Sequence, residues 1–444
     1  MFKKFAVLLL LLPLVTFGQF TLKGKFSPVE EFDWILIYKV TPTHSTYVGD
    51  TKINTEGKFE FALDSTQTKG MYRLVYAVPQ EEFNFDIIYN AKEDIEFTFD
   101  IDSGLEYQAS NENKLITSYT ESMAVISQSI GDYYNERSTD STALMNIFKT
   151  QREIQNEYEK ISKGTIAGEF IRANKPYIPE GYLGINDYIK NIRKHFFDHV
   201  NFNSEILQSS NFLVERILNF VFGMVAQGEN DIESFKTNIS AVAKAMKNAT
   251  PQTKKMLLHI LWQQFSEANY EEVANFITDN YLLPIARTLK DTELSTELIR
   301  YRSLSFGKIA PDFDIEILED NKIIKKKLSA LDLADKYVLV FWSSSCSHCL
   351  EELPLLRDFT KKFEKGALKV VAFGIEDDEY RWKSETYNYP EFIHVIGLGK
   401  WENEISKIYN ISSTPTYFVL DKSKRIIAKP LDIVELKSFF KDQK

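Results

Sequence analysis

The apolar residues of this chain keep three different rhythms in succession, and each rhythm permits a different kind of domain. From Phe20 to Asp102 they alternate with period two. In "DIEFTFDID", Ile95, Phe97, Phe99 and Ile101 fall on one face and Asp94, Glu96, Thr98 and Asp100 on the other. "GKFEFAL" and "MYRLVYAV" repeat the pattern, with turn residues in "TEG" and "TKG" between runs. Short alternating runs broken by turns predict antiparallel strands with one buried face, packed as a small sandwich. From about Leu105 to Arg302 the spacing lengthens to three and four, as in "NFLVERILNFVFGMVAQ" and "KKMLLHILWQQF", which predicts amphipathic helices. Asp291 before "TELSTELIRY" supplies a helix cap. From Ala310 strand-like and helix-like runs alternate: "YVLVFW", "CSHCLEELPLLRDFTKKFEKG", "LKVVAFGI", a helix over 377–389, "TPTYFVLD" with "RIIAKP", and "IVELKSFFKD". That order predicts a mixed sheet with helices on its faces.

The expected organisation of the 444 residues is therefore multidomain. A β-sandwich-like accessory domain is expected over 19–104, a helical domain over 105–305 and an α/β domain over 306–444. Residues 1–18 have the order of a secretory signal peptide: Lys3 and Lys4, an apolar run from Phe5 to Val15, then Thr16 and Gly18 at the −3 and −1 positions of a cleavage site. The run is interrupted by Pro13 and falls short of the roughly 20 apolar residues that cross a bilayer. No cysteine follows it to carry a lipid anchor, and no later segment reads as a membrane span. The mature chain is expected outside the cytosol. A formal charge of −10 argues against nucleic acid or an anionic lipid surface as partner.

The only two cysteines, Cys346 and Cys349, lie three apart in "SSSCSHCLEELP". A structural disulfide, a metal clip and a redox centre all fit a cysteine pair. An exported chain keeps disulfides, but a bridge over this spacing closes almost no loop and constrains the unfolded chain very little. A zinc clip would need two further ligands. The redox reading suits the placement best. Cys346 falls where "YVLVFW" gives way to a helix, so its sulfur faces unpaired N–H groups and the positive end of the helix dipole, which favour thiolate. Cys349, one turn on, is the natural resolving thiol. His348 between them would, as imidazolium, stabilise the reduced pair and push it towards oxidant or isomerase behaviour. Glu352, if it lies beneath the cysteines, relays the proton of Cys349. Pro354 removes one helical hydrogen bond and predicts a kink.

"FWSSSCSHCLEELP" resembles the active-site segment of the thioredoxin superfamily, and within it the exported TlpA/ResA-like thiol–disulfide oxidoreductases. Phe341, Trp342, Cys346, Cys349, Glu352 and Pro354 match that pattern. "YNISSTPTYFVLDKSKRIIAK" matches too, with Thr414-Pro415 where the family has a cis-proline opposite its cysteine pair. The resemblance runs roughly from Phe306 to Lys444. It implies a thioredoxin-like fold for 306–444 and a redox-active disulfide Cys346–Cys349 in place of any cofactor. It further implies substrate binding at Trp342, Thr414 and Pro415, with His348 and Glu352 tuning protons. The implied partners are thiol- or disulfide-containing envelope proteins and an upstream thiol donor or acceptor of electrons. The implied location is the periplasm or cell envelope. Two departures stand out. Ser345 replaces the usual tryptophan before the first cysteine, and Val340 stands where cytosolic thioredoxins bury an aspartate, which makes Glu352 the proton carrier. The β-rich and helical regions resemble the accessory part that precedes thioredoxin domains in many exported proteins of Gram-negative bacteria.

The leading expectation is an enzyme that reduces or exchanges disulfides in envelope proteins. The alternatives are a disulfide oxidase or isomerase, and a binding protein whose N-terminal two thirds capture a partner. His195 and His199 in "HFFDH" lack a third ligand, so zinc is not expected there. The aromatics from Phe212 to Phe222 are expected in a core, and Lys325–Lys327 at a solvated hairpin tip.

Overall fold

In this computed structural model the described residues are 20–441 apart from 65, 226–229 and 320–321; the leader expected over 1–18 lies outside them. The chain divides into two compact units, one up to Ile260 and one from Leu261. Among the described residues no helix is long and apolar enough to cross a membrane.

The first unit begins, among the described residues, with eight strands: β1 (Phe20–Ser27), β2 (Trp34–Val40), β3 (Ser45–Lys52), β4 (Lys58–Leu63), β5 (Gly70–Val75), β6 (Asn84–Tyr89), β7 (Ile95–Asp100) and β8 (Gly104–Ala109). They form two four-stranded sheets, ordered β4-β1-β7-β8 and β3-β2-β5-β6. Alternate residues of both sheets, among them Leu22, Phe26, Ile35, Ile37, Leu74 and Phe97, meet in one core. Two expectations need correction. β1 and β7 run parallel, with Leu22 opposite Ile95, so the region is not wholly antiparallel. A half-buried strand alternates in the same way whichever direction its neighbour runs. Ile101 also leaves the buried face: β7 ends at Asp100, and Ile101 is 55% exposed in the turn that follows.

Among the described residues seven α-helices complete this unit before the chain crosses to the second: α1 (Asn111–Asn135), α2 (Ser141–Ile161), α3 (Ile166–Ala173), α4 (Ile185–His195), α5 (Glu205–Gln208), α6 (Phe212–Gly223) and α7 (Asp231–Ala245). Their starts follow local chemistry. Ser110 caps α1 by accepting from Asn113 N–H, and Asp140 caps α2 by accepting from Thr142 and Ala143. Phe220 of the expected aromatic core is buried, whereas Phe222 is exposed. α8 (Pro251–Glu267) carries the chain across the boundary.

The second unit opens with α9 (Glu271–Ile277), α10 (Leu283–Leu289) and α11 (Thr292–Ser303). Asp291 caps α11 through Leu294 N–H at 3.0 Å. Glu271 of α9 pairs with Lys429, so these helices are tied to the sheet that follows. β9 (Asp314–Glu319) and β10 (Lys322–Lys327) form a hairpin. Lys325–Lys327 lie within β10, not at its tip, where Lys325 and Lys327 face Glu316 and Asp314. Cross-strand charge pairing gives these lysines a strand role that their composition alone does not announce.

A five-stranded sheet then forms from β11 (Lys336–Trp342), β12 (Leu368–Glu376), β13 (Ile393–Leu398), β14 (Thr416–Asp421) and β15 (Ile426–Ala428), ordered β13-β12-β11-β14-β15. β11, β12 and β13 are parallel, and β14 and β15 antiparallel. Central β11 is buried on both faces, which is why it reads as an unbroken apolar run. Tyr337, Leu339 and Phe341 enter a core with Phe373 and Phe418. Val338, Val340 and Trp342 enter the opposite core with Leu353, Leu356 and Leu436. The last two elements of that second core are α12 (Ser347–Thr360) and α15 (Ile433–Lys441), while α13 (Glu379–Thr386) and α14 (Glu404–Ile408) connect the strands. Each such buried Leu or Phe contributes about 1.5–3 kcal/mol relative to exposure, so the sheet centre is the rigid platform on which the β11–α12 junction sits.

Candidate active site at the end of β11

β11 ends at Trp342, and the turn Ser343–Ser345 leads into α12 with Cys346 as its N-cap residue. The Cys346 Sγ accepts a hydrogen bond from Cys349 N–H at 3.1 Å, so a sulfur occupies the position that a serine or aspartate oxygen takes at an ordinary cap. Both cysteines are free thiols, Cys346 half-buried and Cys349 buried. Burial, and then the neighbouring Cys346, push the Cys349 thiol well above an ordinary cysteine. The two sulfurs are therefore unlike: one half-buried and bonded by a helix N–H, one hidden and held protonated.

The Cys346 thiol also donates to the carbonyl of Thr414 at 3.3 Å, across 68 positions of sequence. Sheet register explains this reach. β14 pairs antiparallel with β11, placing Thr416 opposite Phe341, so the loop before β14 ends beside the start of α12. The Thr414–Pro415 bond in that loop is cis.

Two carboxylates flank the pair. Glu352 of α12 is half-buried, and its Oε2 accepts from Tyr417 Oη at 2.8 Å and from Ile433 N–H at 3.2 Å. Burial, then the Glu352 hydrogen bond, raise the Tyr417 hydroxyl far above an ordinary phenol, and Cys349 adds to the rise. Tyr417 thus senses both Glu352 and Cys349. On the other side Glu376, 4% exposed at the end of β12, accepts from Ser344 N–H at 2.5 Å and from the Ser344 and Ser343 hydroxyls at 3.0 and 3.3 Å. This buried carboxylate clamps the serine turn that delivers Cys346 to the helix start.

The remaining expected residues fall in different places. Trp342, expected at the substrate surface, is 0% exposed in the core with Cys349 and Leu353, and so has no face to offer a substrate. Even positions of β11 point beneath α12, and that cover is a tertiary feature. His348 has a side chain 76% exposed, 3.7 Å from the Glu351 carboxylate. Pro354 lies inside α12, which continues unbroken to Thr360. Sequence reasoning misses Tyr417 and Glu376: one looks like a core residue of a strand, the other like part of the solvated run "EDDE". The signal for each is a bonding partner far away in sequence. In the first unit, His195 bonds to Asp198 at 2.6 Å and stacks on Tyr177. Among the described residues no group of three or more His, Cys, Asp or Glu is placed to hold a metal.

A cysteine pair at the strand-to-helix junction of a sheet with helices on its faces, opposed by a cis-proline loop, defines a thioredoxin-like domain. A family model described as thioredoxin-like matches residues 335–426. The thiol–disulfide oxidoreductase ResA of Bacillus cereus is 28% identical over 128 residues, 28% of this chain and 69% of the relative. The thiol:disulfide interchange protein DsbE of Xylella fastidiosa is 27% identical over 124 residues, 27% of this chain and 58% of the relative. A solved thioredoxin domain of a thiol–disulfide oxidoreductase from Bacteroides vulgatus is 22% identical, covers 32% of this chain and 99% of its own, and superposes with a TM-score of 0.28. The C-terminal domain is a TlpA/ResA-like member of the thioredoxin superfamily, and the protein is an oxidoreductase of the thiol–disulfide class.

Proposed function

We propose that this chain is an exported enzyme that reduces or exchanges disulfides in envelope proteins, cycling Cys346 and Cys349 between dithiol and disulfide. The observation that carries this reading is the asymmetry of the pair: an accessible Cys346 at the helix cap beside the Thr414 carbonyl, and a buried, protonated Cys349 one turn on. The order of residues 1–18 supports export.

In the reducing direction the Cys346 thiolate attacks one sulfur of the substrate disulfide. The substrate S–S bond breaks, the departing sulfur leaves as thiolate and takes a proton, and a mixed disulfide remains on Cys346. Cys349 then gives up its proton and attacks the Cys346 sulfur. The second substrate thiol departs, and two electrons have passed from the protein to the substrate. An upstream dithiol restores the pair by the same exchange in reverse. No separate cofactor enters this cycle, because the protein disulfide itself carries the electrons. The Thr414–Pro415 loop borders the site of attack and offers backbone to an incoming extended peptide. Tyr417 and Glu352 form the exit for the Cys349 proton.

Cys346→Ser is expected to abolish turnover of a disulfide peptide, while Cys349→Ala accumulates mixed disulfides with substrate proteins in cells. Full turnover by Cys346→Ser would overturn this reading.

A further inference from the structure

The first unit contains a cleft lined by none of the residues described at the cysteine site. Its volume is about 410 Å³, within the range of small-molecule sites, and its walls come from α1, α2, α4 and α6 with the segment 174–177. Tyr134 and Tyr188 stack on each other at 5.5 Å along one side, and Ile189 and Ile192 continue the apolar wall. The charges are one-sided. In a chain with a formal charge of −10, no Asp or Glu lines the cleft among the described residues, whereas Lys175, His195 and Arg216 do.

Two of these basic residues have partners. Lys175 pairs with Glu159 at 2.9 Å and His195 with Asp198 at 2.6 Å. Arg216 differs. Its guanidinium lies 3.9 Å from the centre of the Phe196 ring and donates through Nη2 to the Phe196 carbonyl at 2.8 Å. Its Nε–H is buried without a hydrogen-bond partner, and no carboxylate pairs with it among the described residues. Gln151, 2% exposed and also lining the cleft, has a buried Oε1 without a partner. Each unpaired buried polar atom costs about 1–3 kcal/mol, so both side chains, which line this cleft, gain by turning towards a ligand that supplies what the protein omits. The missing groups are an anion for Arg216 and a donor for Gln151.

We propose that this cleft binds a small organic carboxylate with an apolar body and an N–H or O–H donor beside the carboxylate, with Arg216 as its counter-ion. Stacked tyrosines and the isoleucines take the apolar body, and Gln151 accepts from the donor. A carboxylate fits the planar guanidinium better than it fits a point charge. This site is independent of the redox reading, and its test has a separate readout.

The test is calorimetric titration of the full chain with N-acetyl-L-phenylalanine, which carries all three groups, and with N-acetyl-L-phenylalaninamide, which lacks only the charge. Expected are one site per chain and at least tenfold weaker binding of the amide. Arg216→Gln should bring the acid down to the level of the amide while leaving the amide unchanged. Because Arg216 is packed against Phe196, a second pair guards against misfolding. Ile189 is exposed at the rim, and Ile189→Glu should weaken the acid severalfold more than Ile189→Lys does, since both lose the same apolar contact and differ only in charge. Turnover of a disulfide peptide should be unchanged in all three variants. Equal binding of acid and amide, no binding of the acid at millimolar concentration, or equal effects of Ile189→Glu and Ile189→Lys would each overturn the proposal.

Discussion

Two carboxylates belong to the surroundings of the cysteine pair, and they are bonded in contrasting ways. Glu376 accepts one backbone N–H and two hydroxyls across both oxygens, and is almost wholly buried. Glu352 is half-buried, and among the described residues both its hydrogen bonds go to Oε2. A carboxylate whose oxygens are all engaged by fixed donors holds geometry, because taking up a proton would cost it those bonds. A carboxylate with an oxygen to spare, next to a tyrosine that senses the buried thiol, has room to take a proton and pass it on. On the reading proposed above, the same residue type serves placement at Glu376 and proton movement at Glu352.

The largest effect should come from breaking the placement side. Glu376→Ala leaves the Ser344 N–H and two buried hydroxyls without their acceptor, a loss expected to cost about 2–4 kcal/mol in all. Chemical denaturation of the reduced protein measures this. The rate at which Cys346 reacts with a small disulfide should fall as well, because the turn that sets the helix cap loosens. Unchanged stability with an altered pH profile would reverse the roles assigned to the two acids.

Next in size is the proton side. Glu352→Gln keeps the shape and an acceptor for Tyr417 but cannot take the Cys349 proton. The resolving step should slow by about 10²-fold, the low end of general acid–base contributions. Stopped-flow kinetics separates that step from the first attack, which should be unaffected. Equal slowing of both steps would mean that Glu352 only supports the fold. Tyr417→Phe should act in the same direction and less strongly.

A smaller, pH-dependent effect follows from the raised Cys349 thiol. The folded dithiol holds its proton where an unfolded cysteine, near pH 8.5, has begun to lose it. Between those values the native state binds more protons than the unfolded state, so stability falls as pH rises. The contribution is fully present below about pH 8.5 and is lost progressively above it, towards the folded value of about 12. Melting of the reduced protein should show the decline setting in between about pH 8 and 10. The oxidised protein has no Cys349 proton to lose and should lack it.

How far these features show in the sequence depends on the range of the interaction that creates them. β11, α12 and β12 are legible because periodicity is local: one strand buried on both faces, one helix with Leu353 and Leu356 on its inner side. Cys346 and Cys349 are legible because their spacing and their junction lie within one short stretch. Thr414-Pro415 emerges only through resemblance, since nothing local says what it faces. Trp342 reads wrongly as a substrate contact because its cover belongs to a helix whose packing the strand does not encode. Glu376 and Tyr417 escape notice because their partners lie 32 and 65 positions away. The parallel pairing of β1 with β7 escapes for a related reason, as alternation records burial but not direction.

His348 offers the smallest effect and the sharpest check on the contrast between placement and proton movement. Its position between the cysteines leads to the expectation that it stabilises the reduced pair. Its side chain is 76% exposed and lies 3.7 Å from Glu351, which is itself exposed. A charge in water beside an opposite charge exerts little field on a sulfur, because solvent and the partner both screen it. His348→Ala should therefore move the reduction potential of the pair by less than about 30 mV, the equivalent of about 1.4 kcal/mol for two electrons. Equilibration with a glutathione buffer, read by thiol trapping, gives the value. A larger shift towards reducing potentials on removing the imidazole would restore His348 as the residue that sets direction and favour the oxidase reading. A small shift leaves direction to the buried side, where Glu352→Gln and Tyr417→Phe in the same buffer should move the potential more than His348→Ala does.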